Sequence, residues 1–583
     1  MKKKRLLVLS VLSLLALAGC SSNQSFSSTS VDGTTYNTEI SVEDPDDIDV
    51  GENTDEFSLT TSDGLYSKNG SVHTLSSAGT YSLSGKLEGQ ILVNASEDDD
   101  VVIELNGTSI SYDQDSPIKV ISAGKVEISA KNNTENTISD NRNAKTGDST
   151  SLGEGSIYAR TDLKLKGSGT LVVTGNYNNG IHTSKDLTIQ KLTLKVNGYN
   201  NAIKGNNSVT INSGVVQAYA KTGNGIKTED SDVSSSGNQK GTIAINGGKV
   251  YVDSLHDAID ASYNVEIDQT DSDVPTSITI KTGKNSTYYS SSFKADSEKG
   301  LKAANSIVIN NGTVAIAASD DALHANYGET LENGSKGLGN IVINGGAIQV
   351  ASGDDGLHAD NTLSINGGKV VVTNATEGFE GNYINISGGY SYIYGTDDGV
   401  NCSKKSFSSC AFTMSGGYLD VAVKSGDTDG IDSNGNFTLS GGVIVTRGSP
   451  GTNGSNMSTG LDVDGTCSMT GGTLIAFNGL EKTPSTSSSV KYAGTKSLSS
   501  QGGPHEGGPG GHGGTTSSSS VTLQAGNYTL SGTGIDISFT NDYTYGSFLI
   551  YSSSLSTGAT YTLSRNDSTA LSWNQTSSSV TIS

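Results

Sequence analysis

Basic residues are the first shortage. Lys and Arg number 37 against 60 Asp and Glu, a formal charge of −23, and no basic stripe is visible. That excludes a nucleic-acid partner, whose phosphates need clustered cations. Apolar residues are also scarce, at 33%, and beyond the N-terminus no run is apolar enough to span a bilayer. No Ser/His/Asp triad, Cys-His pair or phosphate-binding loop stands out. Proline is rare, 7 residues against 74 Gly, while Ser, Thr and Asn abound. Such a composition could describe disorder, but the apolar residues are mostly Ile, Val and Leu in regular alternation, which marks many short strands. An acidic surface suits cations, and would meet an anionic ligand only through a bridging metal or local lysines. A chain of 583 residues is long for one ordinary core. Repeats escape that limit, because each unit packs only on its neighbours.

With 4 cysteines in the whole chain, each is placed individually. Lys2, Lys3, Lys4 and Arg5 precede an apolar run from Leu6 to Ala18, which meets Leu17-Ala18-Gly19-Cys20. The pattern reads as a bacterial lipoprotein signal over residues 1–20, with cleavage before Cys20 and lipidation of its thiol. It predicts an exported lipoprotein held to a membrane at the cell surface. Residues 21–56, Ser/Thr-rich and then acidic, read as a flexible tether. Cys402 and Cys410 flank a short loop, where a disulfide and two free thiols are both open. Cys467 lies in a strand and reads as a small core residue.

The repeat unit begins with Gly or Ala before a branched aliphatic, as in Gly180-Ile181-His182, Ala202-Ile203-Lys204, Gly356-Leu357-His358 and Gly430-Ile431-Asp432. The shortest separations are about 21–23 residues, in the solenoid range. Each unit then carries an alternating strand, a Gly-Gly turn at Gly247, Gly345, Gly367, Gly388, Gly416, Gly441 or Gly471, and a second alternating strand. Glycine fits where φ is positive or stacked backbones approach closely. Asn246, Asn344 and Asn366 precede the turn, consistent with a stacked amide ladder. A propeller wants several strands per longer repeat and a leucine-rich horseshoe wants its own Leu/Asn pattern; neither is present. The expectation is an all-β chain, a right-handed parallel β-helix with irregular N-terminal coils and a C-terminal β cap, on the order of 60–70 Å long. The helix is expected over 151–481, after N-terminal coils at 57–150. A Gly/Ser-rich loop at 482–520 follows, where His505 and His512 read as linker residues. Strands at 521–583 would close the C-terminal end.

Stacking turns sequence positions into columns. Before the Gly/Ala, the positions run from Asn179, Asn201 and Asn224 to Asp321, Asp355, Asp398 and Asp429, with Asp320, Asp354 and Asp397 one residue earlier. After the aliphatic they run from His182, Lys204 and Lys227 through Lys302, His324 and His358 to Glu380 and Asp432. Asp-Asp-Gly alone is ordinary turn chemistry. Carboxylates one rung apart, however, repel by roughly 3 kcal/mol at an effective dielectric near 20. Clustered hard oxygens suit Ca²⁺, so Asp320, Asp321, Asp354, Asp355, Asp397, Asp398, Asp429 and Asp432 are the expected calcium ligands, ahead of Asp257, Glu377 and Glu380. Lys204, Lys227 and Lys302 could contact an acidic sugar or pair with Asp257, Asp260 and Glu298. Tyr251, Tyr390, Tyr392 and Tyr418 point outward, to stack on sugar rings or simply to cover the sheet. His324 and His358 read as stacked polar residues.

Ile103-Glu104-Leu105-Asn106-Gly107, Gly155-Ser156-Ile157-Tyr158-Ala159, Leu163 to Gly169, Asn179 to His182 and Asp354 to His358 carry a family resemblance. With these stretches the chain resembles secreted bacterial carbohydrate-binding β-helix proteins. Those proteins contain calcium and are similar in architecture to family 9 pectate lyases. The resemblance covers roughly 100–480 and implies binding of plant cell-wall polysaccharide, acidic pectic chains included, with calcium in the coil turns; the chain is expected to be a monomer. Three readings follow: a polysaccharide binder without chemistry, a calcium-dependent lyase with Lys227 or Lys302 as base, and an adhesin or spacer. Fold analogy alone does not choose among them.

Overall fold

Aliphatic and polar residues alternate at period 2, and the chain forms strands wherever they do. The computed structural model describes residues 28–31, 34–37, 46–146, 152–292, 296–426, 428–449, 458–495 and 521–582. The lipidation residue Cys20, with the whole 1–20 signal, lies outside them, as do His505, His512 and most of the 482–520 loop. Among the described residues the chain is all-β, with 3-10 structure over Gly283–Asn285. A sheet of 47 strands dominates, beside a 6-stranded and a 2-stranded sheet.

Through the long central part, a strand pairs in parallel with the strand that follows three places later. One ladder aligns Ile181, Ile203, Ile226, Ile259, Leu301, Leu323, Leu357, Phe379, Val400, Ile431 and Leu461. Every one of these side chains is fully buried. Eleven rungs at roughly 4.8 Å make this ladder about 48 Å long. A second ladder ends Phe412, Phe437, Cys467, and the two phenyl rings stack 5.2 Å apart. Cys467 is thus a core residue. The parallel pairing already runs through Gly79–Glu88 and Asp100–Tyr112, and Lys125–Ala130 pairs onward with Asp162–Gly167. The ladders therefore cross the expected 150/151 boundary without a break.

Each Gly-Gly turn uses its two glycines differently. A Cβ on Gly367 would lie 2.5 Å from the Asn344 carbonyl one rung below, and on Gly388 it would lie 2.4 Å from that of Asn366. The second glycine takes the left-handed conformation, with φ 75° at both Gly368 and Gly389. Beside the turn the amides stack. Asn366 Nδ2 donates to Asn344 Oδ1 at 2.9 Å, and Asn344 Nδ2 to Asn310 Oδ1 at 2.8 Å.

One sequence expectation is corrected and one open choice is decided. The segment read as a flexible tether contains two strands, Ser28–Val31 and Thr34–Asn37, and Ser28–Val31 pairs antiparallel with Ile535–Asn541. Asp47 and Ile48 then lie against the central sheet, where Lys195 Nζ reaches Asp47 Oδ1 at 2.6 Å. Ser and Thr suit an exposed edge strand as well as a linker, so composition did not separate the two. The disulfide option for Cys402 and Cys410 is also not what forms. Both are buried free thiols, donating to the Asn382 carbonyl at 3.3 Å and the Cys402 carbonyl at 3.2 Å respectively.

At the C-terminal end, Phe548–Ser552 runs antiparallel to Thr473–Phe477 and to Lys491–Gly494. The 6-stranded sheet brings Tyr528, Leu530, Phe539, Tyr561 and Trp573 over the outer face of the last rungs, against Tyr390, Tyr418, Val445 and Ile475. Arg447 joins the two layers. Its Nε donates to Asn541 Oδ1 at 2.7 Å, and its Nη1 to Asp420 and to the Val421 carbonyl.

Candidate functional site

In the first ladder the aliphatic residue points inward, so the next residue points out. Register builds one outward column in the order His182, Lys204, Lys227, Asp260, Lys302, His324, His358, Glu380, Asn401, Asp432, Asp462. Its early part is neutralised within the protein. Lys204 pairs with Glu229 at 2.6 Å, Lys227 with Asp260 at 2.7 Å and Lys302 with Asp257 at 3.4 Å. Burial would lower the Lys302 pKa, but Asp260 and Asp257 outweigh it and hold the amine above its ordinary value. A lysine held protonated in this way is poorly suited to act as a base. At the N-terminal end His182 is the opposite case. Burial and the nearby Lys204 lower its pKa to about 4, and its Nε2 meets Asn206 Oδ1 at 3.1 Å.

The middle of the column gathers carboxylates around histidines. Asp320, Asp321 and Asp354 bring carboxylate oxygens within 4.8 Å of one another. Lys299, which the sequence reading did not single out for this role, bonds Asp320 at 2.7 Å and Asp321 at 2.9 Å. His324 and His358 do stack, with ring centroids 4.4 Å apart. His324 Nδ1 lies 2.5 Å from Asp321 Oδ2. His358 Nδ1 lies 2.8 Å from Asp355 Oδ2 and 3.1 Å from Glu380 Oε2. Burial would lower the His358 pKa, but Asp355, Asp360 and Glu380 push it up to about 10. Glu377 is pushed to about 7 by burial and by Glu380. Asp360 and Lys405 complete this cluster and escaped the sequence reading. Asp360 sits two residues past His358, outside the repeated positions, and Lys405 lies in the loop before Cys410.

Further along, Asp429 donates its backbone N–H to Asp398 Oδ1 at 2.8 Å, and Asp432 follows on the same edge. Burial and repulsion from Asp398 push both Asp429 and Asp432 up to about 7. The eight expected calcium ligands thus do not form one site. Asp320 and Asp321 share Lys299 with Asp354 beside them, Asp355 joins the histidines, and Asp398, Asp429 and Asp432 form an acidic end. Asp397 is exposed.

The tyrosines are corrected. Tyr390 and Tyr418 stack 5.5 Å apart but are buried under the C-terminal sheet, and Tyr392 packs partly buried at the same interface. Tyr251 is buried too, with Tyr219 5.6 Å away and the Lys281 amine 5.4 Å from its ring. None of the four presents a free aromatic face to a sugar.

The sequence model of a family described as "Carbohydrate-binding domain-containing protein" matches residues 69–356, 328–378 and 339–542. Together these matches take in the ladders, the histidine cluster and the acidic end. The chain belongs to this family. A carbohydrate-binding domain-containing protein of Acetivibrio thermocellus is 34% identical over 188 residues, which are 32% of this chain and 62% of the relative's length. Among solved structures, the polysaccharide lyase-like protein from C. thermocellum, a gadolinium derivative, is 32% identical. The match covers 40% of this chain and 89% of that one, with a TM-score of 0.35, too low to carry an argument about the fold.

Proposed function

We propose that the protein is a cell-surface lipoprotein that binds plant cell-wall polysaccharide, acidic pectic or cellulosic, along the edge where its acidic residues stack. Membership of the carbohydrate-binding family over residues 69–542 is the observation that carries this reading. The interleaved parallel ladders support winding as a right-handed parallel β-helix, the usual hand for a parallel crossover. Its 21–23-residue coils would turn chain positions into a flat face long enough for several sugar units.

Calcium belongs to the proposal at the acidic end. Asp398, Asp429 and Asp432 are hard oxygen donors. Burial and mutual repulsion leave Asp429 and Asp432 poorly able to ionise on their own, a cost that a divalent cation relieves. These three residues would hold Ca²⁺, which would neutralise the edge and offer open coordination positions to sugar oxygens. The protein's own part is to fix the carboxylates by rung register and by backbone bonds such as the one from Asp429 N–H to Asp398. Binding without bond cleavage is favoured over lyase action, because Lys302 is held protonated and Lys227 is engaged by Asp260.

Retention of the protein on polygalacturonate or cellulose, with Ca²⁺ and with chelator, tests the reading. Retention that chelator abolishes is expected, with no rise in unsaturated-uronate absorbance. An absorbance rise abolished in Lys302→Ala would establish the lyase, and no retention on either polymer would leave the adhesin or spacer reading.

A further inference from the structure

We propose that Asp355, His358 and Glu380 hold a borderline divalent cation of the Zn²⁺ class, at a site separate from the acidic end assigned to calcium. Among the described residues these three converge with one donor atom each, all within 4.8 Å of one another. The donors are His358 Nδ1, Asp355 Oδ2 and Glu380 Oε2, at 2.8 and 3.1 Å from the nitrogen. Tetrahedral zinc with N and O ligands spaces its donors about 3.3 Å apart, so the two nitrogen–oxygen gaps need open by only a few tenths of an ångström to match it.

Three observations point to a cation there. Glu380 is fully buried, and its Oε2 has no hydrogen-bond donor although it faces His358. Its other oxygen is already tied, by an ion pair with Lys405 and at 3.5 Å from both Asn401 Nδ2 and Ser403 Oγ. A buried carboxylate oxygen left this way is costly unless a charge meets it.

The second observation is how the far ring nitrogen is held. His358 Nε2 lies 3.3 Å from Asp360 Oδ1, and Asp360 Oδ2 is itself fixed by the Tyr327 N–H at 2.9 Å. With Nε2 directed at Asp360, Nδ1 faces two carboxylate oxygens, and a divalent ion that displaces its proton would meet all three donors. Metal-bound histidines are oriented in the same way, by a carboxylate on the far ring nitrogen. His324 stacks on His358 and places its own Nε2 3.7 Å from the same Asp360 oxygen.

The third is charge. Asp355, Asp360 and Glu380 surround His358 and one lysine, Lys405, answers them. Once the proton on Nδ1 is displaced, two negative charges remain around the imidazole, the charge of one divalent ion. A single proton on Nδ1 would answer one of them and leave the second carboxylate facing its neighbour. Imidazole nitrogen among oxygens selects the zinc class over Ca²⁺, which takes six to eight oxygens.

The test uses the full chain stripped with chelator and titrated calorimetrically with ZnCl₂ alone, then with ZnCl₂ in excess CaCl₂. One Zn²⁺ per chain is expected, undiminished by Ca²⁺. His358→Ala and Glu380→Gln should each abolish it, and Asp360→Asn should weaken it about tenfold. Should a variant fail to fold, Co²⁺ bound to the unaltered protein gives an independent readout, a visible spectrum of low-coordinate N/O ligation that Zn²⁺ bleaches. Zinc binding that survives His358→Ala, that equimolar Ca²⁺ displaces, or that never occurs would each overturn the proposal. Polysaccharide retention in the zinc-free protein is read separately, so failure of this site and failure of the calcium edge are distinguishable.

Discussion

Replacing Arg447 with Met should cost about 3–5 kcal/mol of folding free energy, the usual cost of stranding one member of a buried ion pair. Arg447 and Asp420 are each 1% exposed. The arginine also holds the Val421 carbonyl at 2.9 Å and Asn541 Oδ1 at 2.7 Å. The methionine fills much of the volume but answers none of these acceptors. The C-terminal sheet would lose its polar tie through Asn541 while keeping the apolar contacts of Phe539 and Tyr528. A second consequence concerns pH. Burial already raises the Asp420 pKa and Arg447 pulls it down, so removing the arginine raises it further. A carboxyl group whose folded pKa exceeds its unfolded value near 3.9 stabilises the fold below that value, and loses the effect as pH rises through the folded pKa. The Arg447→Met penalty should therefore be largest at neutral pH and shrink towards pH 4. Denaturant unfolding of both proteins across that range measures it. The double variant Arg447→Met, Asp420→Leu should recover most of the loss, since no charge is left stranded. A penalty under about 1 kcal/mol at neutral pH, or one that grows on acidification, would refute the reasoning.

Two further outcomes follow from named residues. His182 is buried with a pKa lowered to about 4 against 6.5 in the unfolded chain. It should therefore leave stability intact above pH 6.5 and withdraw roughly 3 kcal/mol as pH falls to 4. His182→Gln should flatten that part of the stability profile, and an unchanged slope would show that another group carries it. Gly388→Ala would set a Cβ 2.4 Å from the Asn366 carbonyl, so a loss of about 1–3 kcal/mol in denaturant unfolding is expected. A neutral substitution would mean that the rungs can separate at the turn.

The ladders were legible in the sequence because stacking repeats every inward position. Ile181 through Leu461 mark one column by their Gly/Ala neighbour alone, and Asn344 and Asn366 mark the turn. The ion pairs were less so. Lys299 holds the repeat position one rung from Asp321, but the pattern does not say that the two side chains pair; Lys405 reaches Glu380 from a loop, and nothing in a repeat pattern says where a long side chain from an insertion will settle. The tyrosines failed for a different reason. An outward aromatic such as Tyr390 or Tyr418 has the same pattern whether water or another sheet lies over it. The residues of that sheet that cover them, from Tyr528 to Trp573, lie more than a hundred positions away. The acidic edge was visible as a column, but its division into a lysine-held part, a histidine part and an acidic end depends on which side chains pair across the rungs and on Asp360 and Lys405 outside the repeat.

The strand Phe548–Ser552 also bears on how copies of the protein could meet. A stack of parallel rungs is a template, and its last rung would accept the first rung of another copy and elongate without limit. Here the edge of Thr473–Phe477 is taken by a strand running the opposite way. The parallel pairing beyond it passes to Ser579–Thr581, three residues long with both ends exposed. The reversal breaks, on this ladder, the translational symmetry that a fibre needs.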